Sequence, residues 1–191
     1  MAEPLVKVHV HEHAGTLILN RPAKRNALSR QMLTELEQGL RDLHGQRKVR
    51  GVIVTGAGTA FCAGLDLAEM HDSGNADNAQ SQWQEDAVTY RDVLELMLRF
   101  PKPLIAALNG PTLAAGAGLA LACDMVIAAP EATFGFPEPK LGLVAGVAAP
   151  LLTFRVGAGH AAHLLLTAAI VSAETAIESL ANIISFPVFM S

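Results

Sequence analysis

Valines at positions 6, 8 and 10 alternate with Lys7, His9 and His11, a period of two that predicts a half-buried strand. Glu12 to Gly15 reads as a turn, and Thr16 to Leu19 as the returning strand of a hairpin that Asn20-Arg21-Pro22 breaks. The period then changes. Met32, Leu33, Leu36, Leu40 and Leu43 recur at helical spacing behind Ser29, a side chain suited to cap a helix running to about His44. Val49 to Thr55 is a short apolar strand, and the polar residues 71 to 82 read as a surface loop. Trp83 to Arg99 reads as a helix with Val93, Leu94, Met97 and Leu98 inward, ended by Pro101 and Pro103, and Leu104 to Leu108 is the next buried strand. Gly116 to Ala122 predicts a short helix of small residues, Asp124 to Ala129 and Ala132 to Phe134 predict strands, and from Gly146 onward the pattern is apolar and helical. This order argues an α/β architecture with helices packed on sheet. No repeat or linker divides the chain, so a single domain over residues 1–191 is expected.

The composition fits that picture. Of 191 residues, 51% are hydrophobic and 17% charged, enough for a sizeable core and too little charge for a disordered chain. The net charge of −4 lacks the cationic footprint of a nucleic-acid partner. Two cysteines, Cys62 and Cys123, suit a reducing compartment, and Met1-Ala2-Glu3-Pro4 does not open a signal peptide; a cytoplasmic protein is expected. The uncharged run Pro103–Cys123 has the length of a membrane span, but Asn109, Gly110, Pro111 and Thr112 interrupt it, and it reads as strand, turn and helix in a core without a membrane partner. His9, His11 and His13 alternate in the hairpin, and His160 and His163 lie three apart on a helix; no Cys or carboxylate cluster accompanies either set, and no metal is expected.

Three segments carry candidate chemistry: Gly56–Leu67, Asn109–Leu119 and Phe134–Gly142. The first two each follow a strand, are rich in Gly and Ala, and lead into a helix. Such a passage leaves N–H groups unpaired, and small side chains let a ligand oxygen approach them. Two of these loops converging would aim a pair of donors at one oxyanion; the same pattern also serves tight turns and close helix packing. Gly56-x-Gly58 lacks the rest of a dinucleotide fingerprint and the Lys-Ser/Thr of a P-loop. Glu138, between Pro137 and Pro139 and near Phe134, Phe136 and Leu141, is either an ordinary loop carboxylate or a proton shuttle whose pKa an apolar setting raises. Cys62 adjoins the first loop without a partner His and reads as a small buried residue. Asp66 reads as a helix cap, and Asp124 as structural.

Asn20–Leu28, Ala60–Leu67, Asn109–Asp124 and Phe134–Gly142, in this order and at these separations, resemble the enoyl-CoA hydratase/isomerase (crotonase) family over residues from about 5 to 178. The resemblance implies a crotonase-like spiral of repeated ββα units assembled as trimers or dimers of trimers. It implies an acyl-CoA thioester as substrate, so that coenzyme A arrives as part of the substrate and no further cofactor is needed. The oxyanion-hole amides would be those of Leu65 and Ala115, and Glu138 the catalytic acid/base. Ala63, Gly64, Asp66, Leu67 and Gly116 would line the substrate site, with Lys24 and Arg25 near the phosphates of CoA. Hydratases of the family carry a second Glu where this chain has Gly118, which makes the site resemble a one-Glu isomerase more than a full hydratase. A non-catalytic acyl-CoA-binding or oligomeric interaction protein is the alternative. Family members continue well beyond this length with helices that close the acyl pocket, and the ending Ala181–Ser191 does not resemble them; a C-terminal helical region largely missing after about residue 178 is expected.

Overall fold

The computed structural model describes residues 3–75 and 78–179; the ending Ala181–Ser191 lies outside them. Strands β1 (Val6–His11) and β2 (Ala14–Leu19) form the hairpin, turning on Glu12 and His13 alone, so the second strand starts earlier than its periodicity predicts. Helix α1 (Arg30–Gly45) follows, capped by the Ser29 hydroxyl, which accepts the Met32 N–H at 3.2 Å. Its predicted apolar stripe is the buried face: Met32, Leu36, Leu40 and Leu43 have no exposed surface. Then come β3 (Gly51–Gly56), α2 (Leu67–Gly74), α3 (Ala79–Leu98), β4 (Leu104–Leu108), β5 (Thr112–Leu113), α4 (Ala115–Leu121), β6 (Met125–Ala128) and β7 (Thr133–Gly135). α5 (Ala149–Thr167), β8 (Ile170–Ser172) and α6 (Ala173–Ser179) complete the described chain.

Two sheets are stacked along this path. The larger has the order β1-β2-β3-β4-β6, parallel from β2 onward, with β1 antiparallel at its edge. The smaller has the order β5-β7-β8. Each circuit of chain runs through a large-sheet strand, crosses to the small sheet and continues into a helix: β4–β5–α4, which returns to the large sheet at β6, then β6–β7–α5, which leads to β8 of the small sheet. Before them, β3 leads to Cys62, which bridges to Thr112 in parallel as a one-residue extension of the small sheet, and then to α2 and α3. These are the repeated ββα turns of a crotonase-like spiral, and the fold is α/β.

Three expectations change. The polar stretch 71–82 is helical where loop was expected at 71–74 and 79–82: α2 extends to Gly74 and α3 begins at Ala79. Its side chains are polar because those turns face solvent, and exposed helix needs no apolar stripe. Leu98 is half exposed, at the last residue of α3 where the helix leaves the core. The apolar C-terminal stretch is not wholly helical: α5 breaks its helical dihedrals at Gly157 (φ 77°), and β8 intervenes, pairing antiparallel with β7. The β-branched Ile170 and Val171 suit that strand.

Candidate active site

The spiral forces the three glycine- and proline-marked segments together. Thr112 pairs with Cys62 on one side and with Phe134 on the other. Parallel neighbours keep their register, so the residues three positions further on, Leu65, Ala115 and Pro137, lie at one end of the small sheet, with Glu138 next. Main-chain bonds fix the first two segments to each other: the Leu113 N–H donates to the Cys62 carbonyl at 2.9 Å, and the Phe61 and Cys62 N–H groups donate to Pro111 O at 3.1 and 3.2 Å. Gly64 passes Ala114 so closely that a side-chain carbon there would come within 2.8 Å of the Ala114 Cβ, and its φ of 106° is itself a glycine conformation.

The orientation of the Leu65 amide follows from strand geometry. Leu28 pairs with Leu65 in parallel, its N–H donating to Gly64 O at 2.8 Å and its carbonyl accepting from the Asp66 N–H at 2.9 Å. In such a bridge the central residue's own N–H points to the opposite side, here away from Leu28. Ala115 is the first residue of α4, where helix geometry supplies no acceptor for its N–H. Among the described residues, neither amide finds a hydrogen-bond acceptor. Both residues line one cavity of about 390 Å³, together with Ala63, Leu67, Leu113 and Glu138.

Glu138 opens a short 3-10 turn, Glu138–Leu141, that leaves β7 through Phe136 and Pro137. Phe134 and Phe136, packed edge to face at 5.6 Å and fully buried, anchor the approach. The carboxylate is half buried, its Oε2 is buried without a hydrogen-bond partner among the described residues, and burial pushes its pKa above the ordinary value of 4.5 against the opposing pull of its own backbone amide. A carboxylate so placed is a poor ion and a better proton carrier.

The candidate residues outside the cavity lining have other positions. Lys24 and Arg25 are both exposed on the turn after Pro22; Arg25 reaches the cavity and its carbonyl accepts the Ala63 N–H at 3.0 Å, while Lys24 does not line it. Gly64 and Gly116 lie behind the lining and set the close approach of backbone. Asp66 caps α2, one oxygen accepting from Ala68 N–H at 2.9 Å and the other from Arg21 Nη2 at 2.7 Å. Burial pushes the Asp66 carboxyl up, but the Arg21 and Ala68 hydrogen bonds outweigh it and hold the pKa below 3.8. Asp66 thus fastens the loop and lies outside the lining of the cavity that holds Glu138. Burial pushes the Cys62 thiol up to about 12, as befits an inert packing residue.

Two residues escaped the sequence reading. Asn26 is fully buried in a left-handed conformation (φ 55°); its side chain accepts from Arg21 N–H at 2.8 Å and donates to Ala57 O and Ala60 O at 2.9 and 2.8 Å, holding the first turn of the Gly56–Leu67 loop. Tyr90, the sole tyrosine, lines the cavity and donates to Ala115 O at 2.7 Å. Its spacing from Val93, Leu94 and Met97 marks the same helix face and was the available signal. Among the described residues there is no cluster of three His, Cys, Asp or Glu fit for a metal and no helix long and apolar enough to cross a membrane.

The sequence model of the enoyl-CoA hydratase/isomerase family matches residues 12–179. The chain belongs to that family. A Thermus thermophilus protein named as an enoyl-CoA hydratase is 42% identical over 86% of this chain. The Arthrobacter 4-chlorobenzoyl coenzyme A dehalogenase-2 is 33% identical over 91% of it. The chain spans 64% and 63% of the length of these two relatives. Among solved structures, the enoyl-CoA hydratase of Mycobacterium smegmatis superposes with a TM-score of 0.88 at 33% identity, covering 96% of this chain and 69% of that one. The Bacillus anthracis enoyl-CoA hydratase gives 0.87 at 34%, covering 95% and 69%. The crotonase-like fold read from the spiral is thus that of the family's solved members.

Proposed function

We propose that this chain acts on an acyl-CoA thioester and shifts its double bond with one carboxylate. The observation that supports this reading best is the shared cavity: the unpartnered Glu138 oxygen and the unpartnered amides of Leu65 and Ala115 belong to one pocket of otherwise mostly apolar lining. The two amides accept the thioester oxygen. Glu138 removes a proton from the α-carbon of a 3-enoyl thioester, the electron pair delocalises onto that oxygen as an enolate, and the protonated Glu138 returns the proton to the γ-carbon, leaving a 2-enoyl thioester and the original carboxylate. Each oxyanion donor of this kind is worth about 10²–10³ in rate. Ala63, Gly64, Leu67 and Gly116 shape the backbone around the thioester, and Lys24 and Arg25 meet the phosphates of coenzyme A, which enters with the substrate; no separate cofactor takes part. Asp66 serves substrate binding only through the loop it fastens.

A second reading, acyl-CoA binding without turnover, is favoured by one feature: of the two carboxylates on the cavity wall, Asp86 is engaged by Arg30 at 2.6 and 2.7 Å, which leaves Glu138 alone. Turnover of 3-enoyl- and 2-enoyl-CoA by the purified protein and its Glu138→Gln variant separates the two. Isomerisation lost in Glu138→Gln supports the first reading. Thioester binding by calorimetry with no turnover of either substrate supports the second, and equal rates for the two proteins remove Glu138 from the mechanism. A homotrimer or dimer of trimers accords with the strongly exposed Phe154 and Leu166 of α5, since large apolar side chains left in water favour a partner surface.

A further inference from the structure

Helix α4 is an unusual support for a catalytic group. Its sequence, Ala-Gly-Ala-Gly-Leu-Ala-Leu, contains two glycines that favour the unfolded chain. Its N-cap, Ala114, has no side-chain hydrogen bond to offer and sits at φ 53°, ψ −125°, a conformation that costs a non-glycine residue energy. The Ala115 N–H lies in the Ala114–Ala115 peptide, whose carbonyl accepts the Gly118 N–H at 3.1 Å, so its direction follows the first turn of α4, and the cap of that helix offers no side chain to hold the turn in place.

The brace comes from another element. Tyr90, on α3, is only 4% exposed, and its hydroxyl donates to the Ala115 carbonyl at 2.7 Å. The same hydroxyl occupies the space beside Gly118: a Cβ at position 118 would overlap it outright, and would also come within 3.2 Å of the Ala148 Cβ. A buried phenol ring is stiff, with two torsions and neighbours on all sides, so it can hold a carbonyl in place where a longer side chain would not. Resting on the thioester reading above, we propose that Tyr90 is a positioning residue: it pins the first turn of α4 so that the Ala115 N–H stays aimed at the thioester oxygen, and position 118 is glycine because the Tyr90 hydroxyl fills its side-chain space.

The inference distinguishes Tyr90 from a packing residue. A packing residue contributes to stability alone. A positioning residue alters how strongly the site polarises the bound carbonyl, and a displacement on the scale of an ångström costs roughly 10-fold to 10²-fold in turnover.

The test uses the full chain and 4-(dimethylamino)cinnamoyl-CoA, a conjugated thioester that absorbs at longer wavelength when its carbonyl is polarised. The red shift at saturating protein is measured for the wild type, Tyr90→Phe, Gly118→Ala and the double variant, alongside kcat and KM for 3-enoyl-CoA and folding by circular dichroism. The expected result is a wild-type red shift that falls by at least half in each single variant, with kcat reduced and KM little changed. The double variant should be no worse than either single one, because removing the hydroxyl makes room for the added methyl. A full red shift and kcat in folded Tyr90→Phe overturns the proposal, as does an effect confined to KM, or single-variant losses that simply add. If Tyr90→Phe does not fold, Gly118→Ala decides: a full red shift there overturns it. Absence of both red shift and turnover in the wild type is a different failure, that of the thioester reading itself.

Discussion

In the proposed isomerisation, Glu138 gives the site its pH dependence. Burial raises its pKa, so the ionised form that removes the α-proton appears only as pH climbs through that raised value. The kcat/KM profile is therefore expected to fall on the acid side at a pH above the ordinary glutamate value of 4.5. Glu138→Gln should lower kcat by roughly 10²–10⁴-fold and abolish that limb, which steady-state rates across the acidic range will show. The same burial has a stability counterpart of determinate sign. The folded-state pKa is raised, so the contribution of this group is full below the unfolded pKa and is lost as pH rises through the folded one. Glutamine never ionises. The Glu138→Gln protein should consequently melt above the wild type at neutral pH, with the gap closing in acid, as read by thermal melts at both pH values. The flanking prolines and the phenylalanines before it left Glu138 open between loop carboxylate and proton shuttle, and only the family resemblance singled it out; what the structure adds is its half-buried place on the cavity wall. Tyr90 was not legible, since an aromatic residue at helical spacing looks the same whether it packs or braces.

Among the elements, the loop from Gly56 to Leu67 has the most exacting conformation. Gly64→Ala would force a Cβ against Ala114 at a backbone angle foreign to alanine. We expect it to lower kcat by about 10²-fold or more while the helical far-ultraviolet spectrum is retained, because the displaced Leu65 amide is the proposed oxyanion donor. Asn26→Ala strands the Ala57 carbonyl and the Arg21 amide and leaves the Ala60 carbonyl with only the 3.3 Å bond from Asn109 Nδ2, and should cost about 1–3 kcal/mol by denaturant unfolding. The regular elements showed themselves through period: the stripe of α1 and the alternating burial of β4 each reflect one buried face, whereas the alternation of β1 marks an edge strand in which Val6 alone is buried and Val8 and Val10 are exposed, so the half-buried face expected there is not formed. The helical turns at 71–74 and 79–82 left no such trace, because they bury almost nothing. β7 was expected at Ala132 to Phe134, but β5 and β8, two or three residues long, are too short for any period to register, and pairing across the spiral completes them.

At the scale of the molecule, the core under α1 joins the hairpin to the sheet. Leu40→Ala, at a position with no exposed surface, should cost about 2–5 kcal/mol in a single cooperative transition. The spiral itself was reached from the four family-like blocks, not from periodicity, since contacts between successive circuits join residues as distant as Cys62, Thr112 and Phe134. That lateral register carries a consequence for tolerance to change. The groups assigned to grip the substrate are main-chain atoms, so a scan of side chains at 65 and 115 would find both sites permissive to small apolar replacements and would miss them. Lengthening the path by a single residue between Cys62 and Leu65, or between Thr112 and Ala115, would turn an amide away from the cavity while leaving both sheets paired. Mutational searches for this kind of centre should therefore count insertions and deletions before substitutions.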